Sequence, residues 1–149
     1  MFVTAIDDRS VPTNGTSLHA FDQATGETIW SRRISASLWS NAAYDAGRIF
    51  VIDRSGLMQA FDATSGALLW SVSLYKSSET YAFSAPPTAA NGLVYTSGSG
   101  IGSPAGKLFA MRASDGSIAW TQPVAHGDMS TPALSATSVF VSYSCGVVY

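Results

Sequence analysis

Ala60-Phe61-Asp62-Ala63-Thr64-Ser65-Gly66-Ala67-Leu68-Leu69-Trp70 is one of three variants of a single pattern in this chain. It is preceded by Ala20-Phe21-Asp22-Gln23-Ala24-Thr25-Gly26-Glu27-Thr28-Ile29-Trp30 and followed by Ala110-Met111-Arg112-Ala113-Ser114-Asp115-Gly116-Ser117-Ile118-Ala119-Trp120. The shared template is Ala-x-Asp-x-x-(Thr/Ser/Asp)-Gly-x-x-x-Trp, with Arg112 its one departure. A string recurring every 40 residues (Trp30 to Trp70) and then 50 (Trp70 to Trp120) marks a repeat architecture.

Each copy predicts a β-hairpin. Asp22 and Asp62 suit the head of a tight turn, where the carboxylate accepts bonds from N–H groups two or three residues on. Gly26, Gly66 and Gly116 suit the closing position that needs positive φ. Beyond the glycine, Leu68, Trp70, Val72 and Leu74 alternate with Leu69, Ser71 and Ser73, a period of two that predicts a strand. One hairpin cannot enclose an indole, so Trp30, Trp70 and Trp120 are expected to pack between successive repeats.

Outward from the hairpins, four units are expected: 1–34 (partial), 35–74, 75–124 and 125–149 (partial). Phe2–Ile6, Ser17–Asp22 and the strand ending at Ile34 form the first, one strand short of four. Leu38–Tyr44, Arg48–Asp53, Leu57–Asp62 and Ala67–Leu74 form the second, and Arg48–Asp53 is apolar on both faces, as a strand buried between units should be. Ser84–Ala90, Leu93–Ser97, Lys107–Arg112 and Ser117–Val124 form the third. Ser130–Leu134, Ser138–Tyr143 and Gly146–Tyr149 begin the fourth. Ile49-Phe50, Val94-Tyr95 and Val139-Phe140 follow one another at intervals of 45 residues. Two insertions lengthen the third unit: Tyr75–Tyr81 between units, and Ser97–Gly106 read as a long hairpin loop. Long loops often carry binding, so Lys76, Glu79, Tyr81, Ser99, Ile101 and Pro104 are candidate partner contacts.

The repeated string closely resembles the tryptophan-docking motif of the pyrroloquinoline-quinone-type (PQQ-like) β-propeller repeat, and the likeness covers almost the whole chain. The resemblance implies an all-β partial propeller of four-stranded antiparallel blades, each tryptophan lying between neighbours. Propellers close with four or more blades, and members of this class usually have seven or eight. An open arc exposes an apolar blade face and a strand edge, so the chain is expected either to be a fragment of a longer propeller or to self-associate through its open faces.

Two functions follow from the resemblance. The first is a non-catalytic scaffold that binds a protein or ligand, as in the periplasmic lipoprotein that assists outer-membrane barrel assembly and in some receptor sensor domains. It implies no cofactor and a periplasmic or extracellular location. The second is a fragment of a quinoprotein dehydrogenase, which needs PQQ, calcium held by carboxylates, an aspartate base and often paired cysteines. The residues favour the first. Cys145 is the only cysteine, which rules out an intrachain disulfide, and Asp45 and Asp53 fit turns better than a metal site.

His19 and His126 lack metal-binding spacing. Ser142–Gly146 is not a nucleophile elbow, and Gly98–Gly102 lacks the helix of a phosphate loop, which leaves it a flexible hairpin loop. The formal charge is −2 and charged residues make up 12%, with Arg32-Arg33 the sole adjacent basic pair, so no nucleic-acid footprint is present. No apolar run reaches the roughly 18 residues of a membrane span, and no signal peptide follows Met1.

Overall fold

The computed structural model describes residues 2–6 (backbone alone), 16–34, 41–74, 81–100, 105–125 and 130–142. It is built of antiparallel strands, with no helix among the described residues. Strands β1 (Phe2–Ile6), β2 (Thr16–Phe21) and β3 (Thr28–Ile34) form the first sheet in that order. The second, also in chain order, is β4 (Ala43–Asp45), β5 (Arg48–Ile52), β6 (Leu57–Asp62) and β7 (Leu68–Ser73). In the third, β8 (Tyr81–Ala82) and β9 (Thr88–Ala90) both pair with β10 (Leu93–Gly100), which continues to β11 (Ala105–Arg112) and β12 (Ile118–Ala125). A short pair, β13 (Ala133–Leu134) and β14 (Val139–Phe140), begins a fourth.

The core lies between sheets. Along β5 every side chain from Ile49 to Ile52 is buried, and successive residues point opposite ways. Ile49 and Val51 pack with Leu18, Ile34 and Phe61 toward the first sheet. Phe50 and Ile52 pack with Met58, Phe83, Val94, Phe109 and Met111 toward the third. A strand apolar on both faces is thus the partition between two cores.

Four details differ from the expectations. The first strand of the third sheet, expected from Ser84 to Ala90, is regular only over β9, and a separate piece, β8, precedes it. Pro86 and Pro87 stand between the pieces, and proline has no N–H to give a ladder. The stretch Ser97–Gly106 is mostly strand: Gly98 pairs with Lys107 and Ser99 with Gly106, so Gly98–Gly100 belong to an extended hairpin. The strand expected over Leu38–Tyr44 is regular only across Ala43–Asp45, and residues 38–40 lie outside the described residues.

Lastly, alternation after the repeated glycine is interrupted. Ala60 pairs with Trp70 but Phe61 with Leu68, leaving Leu69 as the extra residue of a β-bulge. Leu68 and Leu69 are therefore both exposed, while Leu74 is buried. The same bulge recurs at Ile29 and Ala119.

Candidate functional site

The three hairpin turns share one hydrogen-bond pattern. Gly26 N donates to Asp22 O at 3.0 Å, Gly66 N to Asp62 O at 2.8 Å, and Gly116 N to Arg112 O at 2.9 Å. The carboxylate of Asp22 also accepts from the main chain of Ala24 (2.9 Å) and Thr25 (2.8 Å). Asp62 accepts from Thr64 N (3.1 Å), Ser65 N and the Ser65 hydroxyl (both 2.7 Å). The third turn holds its shape without that aspartate, because Asp115 accepts from Ser117 N at 2.8 Å and Arg112 reaches the Ser117 hydroxyl at 3.3 Å.

These bonds lower all three acids below the ordinary carboxylate range. The main-chain donors of Thr25 and Ala24 act on Asp22, the Ser65 hydroxyl and main chain on Asp62, and the Ser117 hydroxyl and main chain on Asp115. A depressed folded-state value means stability that is present above the unfolded carboxylate range near pH 4 and is lost as pH falls through the folded values. The thermal midpoint is expected to fall as pH is taken from about 5 to 3. An Asp22→Asn/Asp62→Asn variant should show a flatter profile over that window in thermal unfolding followed by circular dichroism.

Two tryptophans join sheets. Trp30 Nε1 donates to Ala63 O at 3.0 Å, and Trp70 Nε1 donates to Ala113 O at 3.0 Å, each acceptor lying in the turn of the next sheet. The indoles lie on the turn glycines: a Cβ at Gly66 would stand 2.8 Å from the Trp30 ring, and one at Gly116 would stand 2.7 Å from the Trp70 ring. Both glycines are buried and have positive φ, 68° and 74°. Asp45 adds a second tie between sheets, accepting from Gly92 N at 3.1 Å.

Gly26 has the same backbone, with φ 75°, but among the described residues nothing lies within 4 Å of its Cβ position. Alanine at either glycine strains a left-handed backbone by about 1–2 kcal/mol. At Gly66 it must also displace an indole, so Gly66→Ala is expected to cost about 1–3 kcal/mol more than Gly26→Ala, as urea titrations of the two variants would measure. Trp120, the third copy, is 37% exposed and has its ring centroid 6.0 Å from that of Tyr95.

Tyr81 pairs with Gly100 and Ala82 with Ser99, so the described residues that adjoin the two insertions are neighbours at one end of the third sheet. Tyr81 and Ser99 stand at that end, whereas Lys76, Glu79, Ile101 and Pro104 lie outside the described residues. The Tyr81 ring meets Phe109 edge-on at 5.9 Å, and Lys107 Nζ lies 5.3 Å from the Tyr81 centroid, within cation–π range. Gly98 makes this crossing possible, since a Cβ there would meet the Phe83 ring at 2.8 Å and Tyr81 Cβ at 3.0 Å. Lys107 is the residue that sequence reasoning missed. Its signal was a lone cation flanking an insertion, legible only once that insertion is read as strand.

Asp53 and His19 are already engaged within the chain. Asp53 accepts from the Ser55 hydroxyl (2.7 Å) and Leu57 N (2.8 Å), closing its own turn. His19 Nε2 lies 2.7 Å from the Ser17 hydroxyl and its ring stacks on Phe21, while His126 and Cys145 lie outside the described residues. Among the described residues no three of His, Cys, Asp and Glu come together. Asp45 and Asp53 are thus both tied to main-chain donors. A cavity of about 420 Å³ between the first two sheets is lined by Arg32, Arg33, Gln59, Phe61 and Leu68. Arg32 there reaches Ser65 O at 3.4 Å, a further tie between the sheets.

The family model described as outer membrane protein assembly factor BamB matches residues 14–149. The Escherichia coli K12 protein of that name is 33% identical over 121 residues, covering 74% of this chain and 30% of its own length. The chain thus spans about a third of the curated relatives it matches. Among solved structures, BamB from Moraxella catarrhalis has a TM-score of 0.67 at 19% identity, over 95% of this chain and 45% of that one. A europium-containing methanol dehydrogenase has a TM-score of 0.64 at 18% identity, over 83% of this chain and 23% of that one. At such identities the structural likeness speaks for the fold alone, a partial β-propeller.

Proposed function

The chain belongs to the BamB family of PQQ-like repeat propellers, and from that premise we propose that it is a non-catalytic, protein-binding part of outer-membrane protein assembly, working in the periplasm. The observation that carries this reading is the pairing of Tyr81 with Gly100 and of Ala82 with Ser99 across β8 and β10, at the end of the third sheet where both insertions join it, with Lys107 over the Tyr81 ring. Tyrosine is among the side chains that most often anchor protein interfaces. Family membership supplies the class of partner, a component of outer-membrane protein assembly. Nothing in this role calls for a cofactor.

The test uses detergent-solubilised envelopes from Escherichia coli K12 lacking its own BamB. The immobilised chain is expected to retain components of outer-membrane protein assembly, identified by mass spectrometry. Replacing residues 75–80 and 101–104 with short turns, or combining Tyr81→Ala with Lys107→Glu, should abolish retention while leaving cooperative unfolding in place. Equal retention by the folded variants overturns the proposal.

A further inference from the structure

We propose that the cavity between the first two sheets binds the C-terminal carboxylate of an extended peptide, Arg32 taking the carboxylate and Gln59 the last peptide amide. The site uses none of the residues at the Tyr81 end of the third sheet and does not rest on that reading. The cavity of about 420 Å³ is walled by Arg32, Arg33 and Ile34 of β3 and by Gln59, Phe61 and Leu68 of the second sheet. Behind it lies the apolar core in which Ile34 and Phe61 pack with Leu18, Ile49 and Val51. Gln59 is 7% exposed, and its Oε1 has no hydrogen-bond partner among the described residues. Buried polar groups are almost always partnered, so an orphan acceptor on a cavity wall marks a place for a donor. The terminal torsion of glutamine is broad and roughly two-fold, which lets either end of the amide turn to the cavity.

The neighbouring joint shows the same place filled by the chain itself. Between the second and third sheets, the residue before the repeated alanine is Phe109 and the residue two past the tryptophan is Val72, both packed in the shared core. Between the first and second sheets those two positions are Gln59 and Arg32. The backbones correspond: a Cβ at Gly116 would stand 2.9 Å from Val72 Cγ2, and one at Gly66 would stand 3.0 Å from Arg32 Cγ. An apolar pair is thus replaced by an amide and a guanidinium bordering one cavity. The joint does not exhaust the guanidinium, since Arg32 gives one N–H to Ser65 O at 3.4 Å and has five to give. No acidic residue is among the described residues that line the cavity, and Arg33 adds a second positive charge to its wall. The complementary ligand is therefore an anion, and a carboxylate matches the planar guanidinium fork. A bare carboxylate leaves Gln59 without a donor. A peptide C-terminus carries the carboxylate and an N–H one carbon apart, and an apolar last side chain would lie against Phe61 and Leu68.

Titration of the full chain with N-acetyl-leucine, followed by heteronuclear NMR, tests this. Saturable shifts are expected at the side chains of Arg32 and Gln59 and at the amides of Gly66, Ala67 and Leu68. N-acetyl-leucinamide keeps the donor and lacks the charge, while acetate keeps the charge and lacks the donor. Each is expected to bind at least about 10-fold more weakly, the effect of losing a hydrogen bond within a charged pair or to a buried acceptor. Arg32→Gln and Gln59→Leu should each weaken N-acetyl-leucine to a similar degree. Arg32 is exposed, so its variant keeps the test open even where Gln59→Leu folds poorly. The absence of any saturable shift in the wild type overturns the proposal. Equal binding by either truncated probe, or undiminished binding by a folded variant, also overturns it.

Discussion

Phe83→Ala is expected to destabilise the protein by about 3–5 kcal/mol, as loss of a buried phenyl ring does when the cavity cannot collapse. Phe83 is 2% exposed and sits in the core shared by the second and third sheets. Glycines crowd it from both sides: Cβ atoms at Gly56 and Gly98 would stand 2.7 and 2.8 Å from its ring. Phe109 packs against it with ring centroids 5.9 Å apart, and the Phe83 N–H donates to Arg54 O at 3.2 Å. Gly56 and Gly98 carry no side chain that could move into the space, so the loss should lie at the upper end of that range. Phe83→Leu, which refills most of the volume, should recover about half. Chemical denaturation with a shared slope for all three proteins measures this. A loss for Phe83→Ala within about 0.5 kcal/mol of wild type, typical of a surface change, would contradict the packing described.

Trp70→Ala should cost about 3–5 kcal/mol, and Trp120→Ala, the same change at the same repeat position, should stay within about 0.5 kcal/mol when the chain is monomeric. Trp70 contacts Phe50 at 5.9 Å between centroids, covers Gly116 and gives its N–H to Ala113 O. Trp120 is exposed and has only Tyr95 as a ring neighbour among the described residues. Trp70→Phe separates the two contributions, because it keeps an aromatic ring and removes the donor. It should cost about 1 kcal/mol for the lost hydrogen bond, beyond any change in packing.

Much of this architecture could be read from residues alone. Repetition of Asp, Gly and Trp at fixed offsets marks successive hairpins, and the unbroken apolar run Ile49–Ile52 marks a strand with a core on each side. Less legible were features that depend on neighbours. The bulge at Leu69 has no residue signature, since it arises from how the turn closes on the preceding strand, and it turned an expected alternation into exposed Leu68 and Leu69. Gly98–Gly100 looked like loop because glycine is poor strand material. It is strand because Phe83 and Tyr81 cross there and leave no room for a Cβ at Gly98. The candidate face was half visible: both insertions stood out by length, but that the residues adjoining them pair with each other depends on the β8–β10 ladder. The asymmetry between Gly66 and Gly26 is a matter of packing, since the Trp30 ring and Arg32 cover the first and nothing described lies within 4 Å of a Cβ at the second.

The central claim, that an indole N–H to carbonyl joint repeats between successive sheets, is tested most directly by hydrogen exchange of the indole protons followed by NMR in dilute solution. The protons of Trp30 and Trp70 are expected to exchange far more slowly than that of Trp120, because each must break a bond to the next sheet before it meets water. Exchange at Trp30 and Trp70 as fast as at Trp120 would show that the sheets are not joined in this way.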